Sequence, residues 1–190
     1  MMKKLISIVT PTFNEEKNIY SLSKAISLQM NNTDFDYEHI IIDNASTDNT
    51  QQVIRKLCLE NKKIKAIFNN KNFGHIRSPF YAILQTKGDA VILLAGDGQD
   101  PPELIESLIE KWKKGLDVVL LRRKSSKTNF FLEFIKIFFY KTINFLSEIK
   151  LFEKTTGAGI FDRKIIQELK KIEEPYPYFR GLIFEITNKI

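Results

Sequence analysis

The 190-residue chain carries a formal net charge of +6, with 43% hydrophobic and 27% charged residues, which fits one globular domain with a substantial core and excludes a low-complexity chain. Its single cysteine, Cys58, excludes an intrachain disulfide and agrees with a reducing compartment. The apolar run Leu5–Val9 stops at Thr10-Pro11, too short for a signal-peptide core, and no run reaches the about 18 apolar residues that would span a membrane.

Strand and helix signals then alternate. Leu5–Thr10 is a short apolar, β-branched run and predicts a buried strand. Glu15–Met30 predicts a helix with Ile19, Leu22, Ala25, Ile26 and Met30 on one face. His39–Asp43 predicts a strand, Asp48–Leu59 a helix, Ile64–Phe68 a strand and Ile76–Gln85 a helix. Ala90–Leu94 is a fourth strand. A helix over Pro101–Lys114 follows, with Asp100 as N-cap and Gly115 as its stop, then a fifth strand over Val118–Leu121. This order predicts an α/β fold with a mostly parallel sheet and helices on both faces. Ligands of such sheets bind beyond the carboxyl ends of the strands.

Four polar segments converge there: Thr10–Glu16, Asp43–Asp48, Asn69–His75 and Ala95–Asp100. Carboxylates at strand ends can hold a hard divalent cation, which prefers oxygen ligands and can bridge a diphosphate. Asp43 can accept hydrogen bonds from a base or ribose, Phe13 can face a nucleobase, and Gly96 and Gly98 allow close backbone approach. Asp97 and Gln99, two apart, point the same way if the segment is extended. Plainer readings stand beside these. Asp48 and Asp100 can simply cap helices, Asn44–Asp48 can be an ordinary turn, and His75 can be a hydrogen-bonded loop residue. No GxGxxG or GxxxxGK[ST] loop is present.

Taken in order, Val9–Asn18, Ile41–Thr50, Asn72–His75, Gly88–Glu103, Thr156–Arg163 and Tyr176–Leu182 resemble the family 2 glycosyltransferases, and within them the polyprenyl-phosphate branch. The run Gln99-Asp100-Pro101-Pro102-Glu103 is the most specific. The resemblance implies a GT-A-like three-layer α/β/α sandwich with a Rossmann-like nucleotide-binding half, one catalytic domain over 1–190. It implies that Pro11, Phe13 and Glu15 line the nucleotide pocket with Gly96, and that Asp43 contacts base or ribose. Asp97 and Gln99 would serve a metal, Mg2+ or Mn2+, and the diphosphate. Arg180 would reach the phosphates as a catalytic residue, with Arg163 a weaker anion contact. The implied activity is inverting transfer from a UDP- or GDP-linked sugar to a polyprenyl phosphate at the inner face of the membrane, in cell-envelope or glycan synthesis.

The sequence departs from that pattern in places. Ala95 and Gly98 stand in a motif where many relatives have Asp-Ala-Asp-Leu-Gln, so one carboxylate is missing. Asn44-Ala45 replaces the common Asp-Gly, and no aspartate lies near Gly157 and Ala158 as a base. An acceptor that is already anionic needs little help from a base; a saccharide hydroxyl would. Over 129–148, Phe131, Ile135, Phe138, Phe139, Phe145 and Leu146 share one helical face, after Arg122, Arg123, Lys124 and Lys127. That pattern suits an interfacial helix on an anionic membrane, or one packed on the core or a partner subunit. Relatives continue past Phe-Arg-Gly-Leu into transmembrane helices, so the chain is expected to lack that part or to be completed by a homo-oligomer or membrane subunit. A saccharide-hydroxyl transferase and a non-catalytic nucleotide-sugar-binding domain are the alternatives. Nucleic-acid binding has only the charge in its favour, with no accompanying signature.

Overall fold

The computed structural model describes residues 3–122, 155–174 and 177–190. Strands β1 (Leu5–Thr12), β2 (Asp36–Asp43), β3 (Ile64–Phe68), β4 (Ala90–Leu93), β5 (Val118–Arg122) and β6 (Thr155–Asp162) form one sheet in the order β3-β2-β1-β4-β6-β5. Helices α1 (Ile19–Asn31), α2 (Thr50–Glu60), α3 (Gly74–Leu84) and α4 (Leu104–Lys113) connect the first five strands in chain order. Helices α5 (Arg163–Leu169) and α6 (Phe179–Ile186) follow β6. The β1–β2, β2–β3 and β1–β4 pairs are parallel, while β6 runs antiparallel to both β4 and β5.

The period-2 alternation of the strands sorts the core into two layers. Ile6, Ile8, Ala90, Ile92 and Ile160 meet Leu22, Ile26 and Met30 of α1 and Ile105, Leu108 and Trp112 of α4. On the opposite face Val9, Ile42, Val91 and Phe161 meet Phe80 and Ile83 of α3, Ile165, Ile166 and Leu169 of α5, and Ile183 of α6. The arrangement is the expected three-layer sandwich. Each of these isoleucines and leucines contributes about 1.5–3 kcal/mol by leaving water.

Two expectations are corrected, and one strand was not foreseen. The fourth helix begins at Leu104 rather than Pro101, with Glu103 at the cap position. Asp100 is therefore not its cap. The first helix begins at Ile19, because Asn14 takes a left-handed φ of 57° and residues 15–18 form a turn. The segment Thr155–Asp162 is a central strand, whose two glycines hide the usual β signal. A Cβ at Gly159 would stand 2.1 Å from the Val119 carbonyl oxygen, so glycine lets β5 lie against β6. The amphipathic pattern over 129–148 lies outside the described residues. No helix among the described residues is long and apolar enough to cross a membrane.

Candidate active site at the carboxyl edge of the sheet

The parallel strands end together at Thr12, Asp43, Phe68 and Leu93, and antiparallel β6 begins at the same edge. A cavity of about 670 Å³ opens there. Pro11, Thr12, Phe13 and Glu15 line it from the β1 loop, Asn44 from β2, and Asn72, Gly74 and His75 from the β3 loop and α3. Ala95, Gly96, Asp97 and Asp100 line it from the β4 loop. Gly157 and Ala158 of β6, with Tyr178 and Phe179 at the head of α6, complete the wall.

The loops after β1 and β2 are fastened to each other. The Asn14 amide donates to Ser46 Oγ at 2.9 Å, and the Thr47 amide donates to Asn14 Oδ1 at 2.8 Å. The Glu15 amide donates to Thr50 Oγ1 at 2.8 Å, and the Asn49 amide to Glu16 Oε2 at 2.9 Å. Asp48 precedes Asn49, the cap position of α2, and accepts from the Thr50 amide at 3.0 Å and from the Glu16 amide at 3.3 Å. Burial opposes ionisation of Asp48, but the Thr50 hydroxyl and amide outweigh it and hold the carboxyl below its ordinary range. Phe13 is left 44% exposed over the opening, and Glu15 accepts from Asn18 Nδ2 at 2.7 Å.

Gly96 sits against β1: its amide donates to the Pro11 carbonyl at 3.1 Å, and a Cβ would meet Thr12 Cγ2 at 2.7 Å and that carbonyl at 2.8 Å. The next turn takes Gly98 through a left-handed φ of 72° and exposes Asp97 and Gln99. Asp97 Oδ1 accepts from the Gln99 amide at 3.0 Å, so the two are adjacent, although only Asp97 lines the cavity. Buried Asp100 closes the loop, accepting from the Ala95 amide at 3.4 Å. Among the described residues, no three histidine, cysteine, aspartate or glutamate side chains gather as a metal cage.

The expected residues do not all meet. Pro11, Phe13, Glu15, Gly96 and Asp97 share the cavity. Asp43 is fully buried just behind it and accepts from the Ser46 amide at 3.1 Å, from the Ser46 hydroxyl, and from Gln51 Nε2 at 2.8 Å. Its carboxylate shapes the β2 loop. Arg163 lies at the opposite edge, beside the start of β4. Its guanidinium donates to the Gly88 carbonyl at 2.5 Å and to the Thr86 carbonyl at 3.0 Å, which corrects the expectation of an anion contact in the site. Arg180 belongs to α6, whose first residues reach the cavity.

Sequence reasoning missed the part played by three asparagines. Asn44 is buried, its Nδ2 donating to Asn72 Oδ1 at 2.8 Å and to the Gly74 carbonyl at 3.3 Å. Its Oδ1 accepts from Asn69 Nδ2 at 3.1 Å and from the Phe73 amide at 2.9 Å. The density of asparagine over Asn69–Asn72 was the available signal.

Comparison with known proteins agrees with this geometry. Residues 7–170 match the model of glycosyl transferase family 2. The chain is 33% identical over 93% of its length to the uncharacterized glycosyltransferase YkcC of Bacillus subtilis, covering 55% of that protein. It is 31% identical over 94% of its length to the bactoprenol glucosyl transferase of Shigella phage SfX, covering 59% of it. The chain thus spans little more than half the length of these relatives. The crystal structure of S. aureus TarS superposes with a TM-score of 0.65 at 19% identity, over all of this chain and 57% of that one. The TarS complex with UDP-GlcNAc gives 0.52 at 27% identity, over 67% of this chain and 36% of that one. These superpositions place the fold in the GT-A class, and the chain belongs to glycosyl transferase family 2.

Proposed function

We propose that this domain transfers a sugar from a UDP- or GDP-linked donor to a polyprenyl phosphate, with inversion, at the inner face of the membrane. The observation that carries the reading is how the cavity's groups divide. Its acids, Glu15, Asp97 and Asp100, all stand on the β1 and β4 loops, and no lysine or arginine is among its described lining residues. Pro79, Phe80, Ile83, Ala158 and Phe179 form an apolar part of its wall.

A donor diphosphate beside Asp97 and Asp100 needs a cation to offset like charges. The exposed Asp97 carboxylate, with the neighbouring Gln99, would hold a hard divalent ion such as Mg2+ or Mn2+, which prefers oxygen donors. When bound, such an ion supplies charge stabilisation for the departing nucleoside diphosphate. Phe13 stacks on the base, Gly96 lets the backbone approach the diphosphate, and Asp43 fixes the loop that frames the nucleotide. Arg180 contributes a further positive charge from α6. In the single displacement, an acceptor phosphate oxygen bonds to the anomeric carbon as its bond to the diphosphate oxygen breaks. No proton has to be removed from an ionised phosphate, so this acceptor needs no general base. Bactoprenol glucosyl transferases among the relatives support the acceptor class, and the TarS complex supports a nucleotide sugar.

A saccharide hydroxyl acceptor is the second reading, and His75 on the α3 wall is the observation in its favour. Nucleotide release from UDP- and GDP-sugars, offered polyprenyl phosphate or a saccharide with Mg2+ or Mn2+, separates the readings. Release that requires the lipid phosphate and stops with EDTA is expected. Asp97→Ala is expected to lower kcat at least 100-fold, about 2.7 kcal/mol; unchanged turnover by folded variant protein overturns the role of Asp97.

A further inference from the structure

We infer that the surface formed by the β3 loop and the outer side of α3 docks on an anionic lipid bilayer, so that the cavity opens at the level of the headgroups. The inference rests on the lipid-phosphate reading of the acceptor. From Asn61 to Gly88 the chain carries six lysines and arginines and no aspartate or glutamate. Of the 29 basic residues, the other 23 are matched by 23 acidic ones, so this one stretch accounts for the whole net charge of +6. Within it, Lys63 and Lys65 of β3 pair with Asp36 and Glu38 of β2. Lys71 and Arg77 stand at the other end of β3, in the loop and first turn that border the cavity. Both lie over Phe73, with Lys71 Nζ 5.2 Å and the Arg77 guanidinium carbon 6.0 Å from the ring centre. Large apolar side chains are exposed beside them. Tyr81 follows Arg77 by one helical turn and is 52% exposed. Ile76 and Tyr178 are exposed as well, and both line the cavity.

Charge decides which border of the cavity meets the lipid. The β1, β2 and β4 loops carry Glu15, Glu16, Asp48 and Asp97, none of them buried, and a negative leaflet repels them. The β3 loop and α3 offer cations that such a leaflet attracts within a Debye length. Tyrosine has an apolar body and a polar tip, which suits the boundary between headgroups and acyl chains. Lysine and arginine lay their stems on apolar surface and keep their charge among the headgroups. A polyprenyl chain stays in the bilayer, because each methylene drawn into water is unfavourable. Its phosphate therefore reaches the cavity only where the cavity's border touches the headgroups. The α3 border is the one where charge and exposed apolar surface both permit that contact.

The test mixes the full chain with vesicles of equal parts phosphatidylglycerol and phosphatidylcholine and reads binding by co-sedimentation. Lys71→Glu with Arg77→Glu is compared with Lys111→Glu with Lys113→Glu, the same charge change on exposed residues of α4 in the opposite layer. A second readout attaches an environment-sensitive fluorophore to a Tyr81→Cys or a Leu28→Cys variant in a Cys58→Ser background; Leu28 is exposed on α1. Calorimetry of UDP and GDP with Mn2+ reports an intact site. Nucleotide release with detergent-dispersed polyprenyl phosphate tests the acceptor reading without a bilayer. The first pair is expected to weaken vesicle binding at least about tenfold and the second less than about threefold, both with nucleotide Kd within twofold of the parent. Vesicles shift the emission to the blue from position 81 and leave it unchanged at position 28. Equal losses in the two pairs overturn the surface in favour of net charge alone. A label that shifts at position 28 but not at 81 overturns it too, by placing the bilayer on another face. A parent that uses dispersed polyprenyl phosphate yet ignores the vesicles overturns the docking surface and leaves the acceptor reading standing. A parent that binds nucleotide but releases none with the lipid phosphate overturns the acceptor reading, and the docking surface falls with it.

Discussion

At the scale of single residues, the site is held in conformations its sequence does not favour. Ala45 sits at a φ of 62°, where an L-residue bearing a Cβ is strained by about 1 kcal/mol. Ala45→Gly is expected to raise stability by about 0.5–1 kcal/mol, seen as a higher denaturant midpoint at unchanged m. A lower midpoint would mean that the extra freedom of glycine in the unfolded chain outweighs the strain. Arg163 shows that charge and motif position alone do not assign a binding role. It lies in a segment resembling the family pattern, yet its guanidinium is spent on carbonyls at the far edge of the sheet. Arg163→Ala leaves the Gly88 and Thr86 carbonyls without these donors and is expected to cost about 2 kcal/mol of stability. Nucleotide Kd should hold within twofold; a large loss of affinity in a variant with native-like Tm would return Arg163 to the site.

At the scale of elements, the glycines of β6 and the β4 loop determine how closely backbones approach. A Cβ at Gly159 would overlap the Val119 carbonyl at 2.1 Å, a contact with backbone that no side-chain rotation relieves. Gly159→Ala is expected to split β5 from β6 and to destabilise by at least about 3 kcal/mol, measured by chemical denaturation; a loss below 1 kcal/mol would show that β5 can shift aside. The same feature explains what the sequence conceals. The four parallel strands were legible because runs such as Ile40–Ile42 and Ala90–Leu93 are apolar and β-branched. The strand Thr155–Asp162 was not, because its place depends on glycines that accommodate a partner rather than on residues that favour strands. Helix starts were misjudged where a left-handed residue such as Asn14 interposes a turn. At the cavity, Pro11, Phe13, Glu15, Gly96 and Asp97 were legible because they lie at or just past strand ends. The binding duty of Asn44 was not, since its four partners come from a loop about 25–30 positions away that only the fold brings near.

At the scale of the whole molecule, buried polar groups beneath the cavity make the sheet sensitive to acid. His39 is fully buried in β2, with Nε2 2.9 Å from Thr10 Oγ1 and Nδ1 3.3 Å from Ser23 Oγ, and burial lowers its pKa to about 3. The unfolded chain takes up this proton near pH 6.5 while the folded chain does not until about pH 3. Between those values the unfolded state holds more protons, so stability falls as pH falls, with a limiting slope of about 1.4 kcal/mol per pH unit from this group. Glu38 adds to the loss at lower pH. Burial raises its pKa, but Lys65, Ser7 and the Lys87 amide together hold it below 4.5. Its contribution is present above the unfolded value and disappears as pH drops through the folded one. Urea unfolding across pH 8 to 4 is therefore expected to show a plateau above about pH 7 and a steady decline below pH 6.5. His39→Gln, which keeps a donor and an acceptor but cannot take up the proton, is expected to be less stable at pH 7 and to flatten the decline between pH 6.5 and 4.5. A variant whose curve keeps the parent's slope in that interval would place the acid sensitivity outside His39.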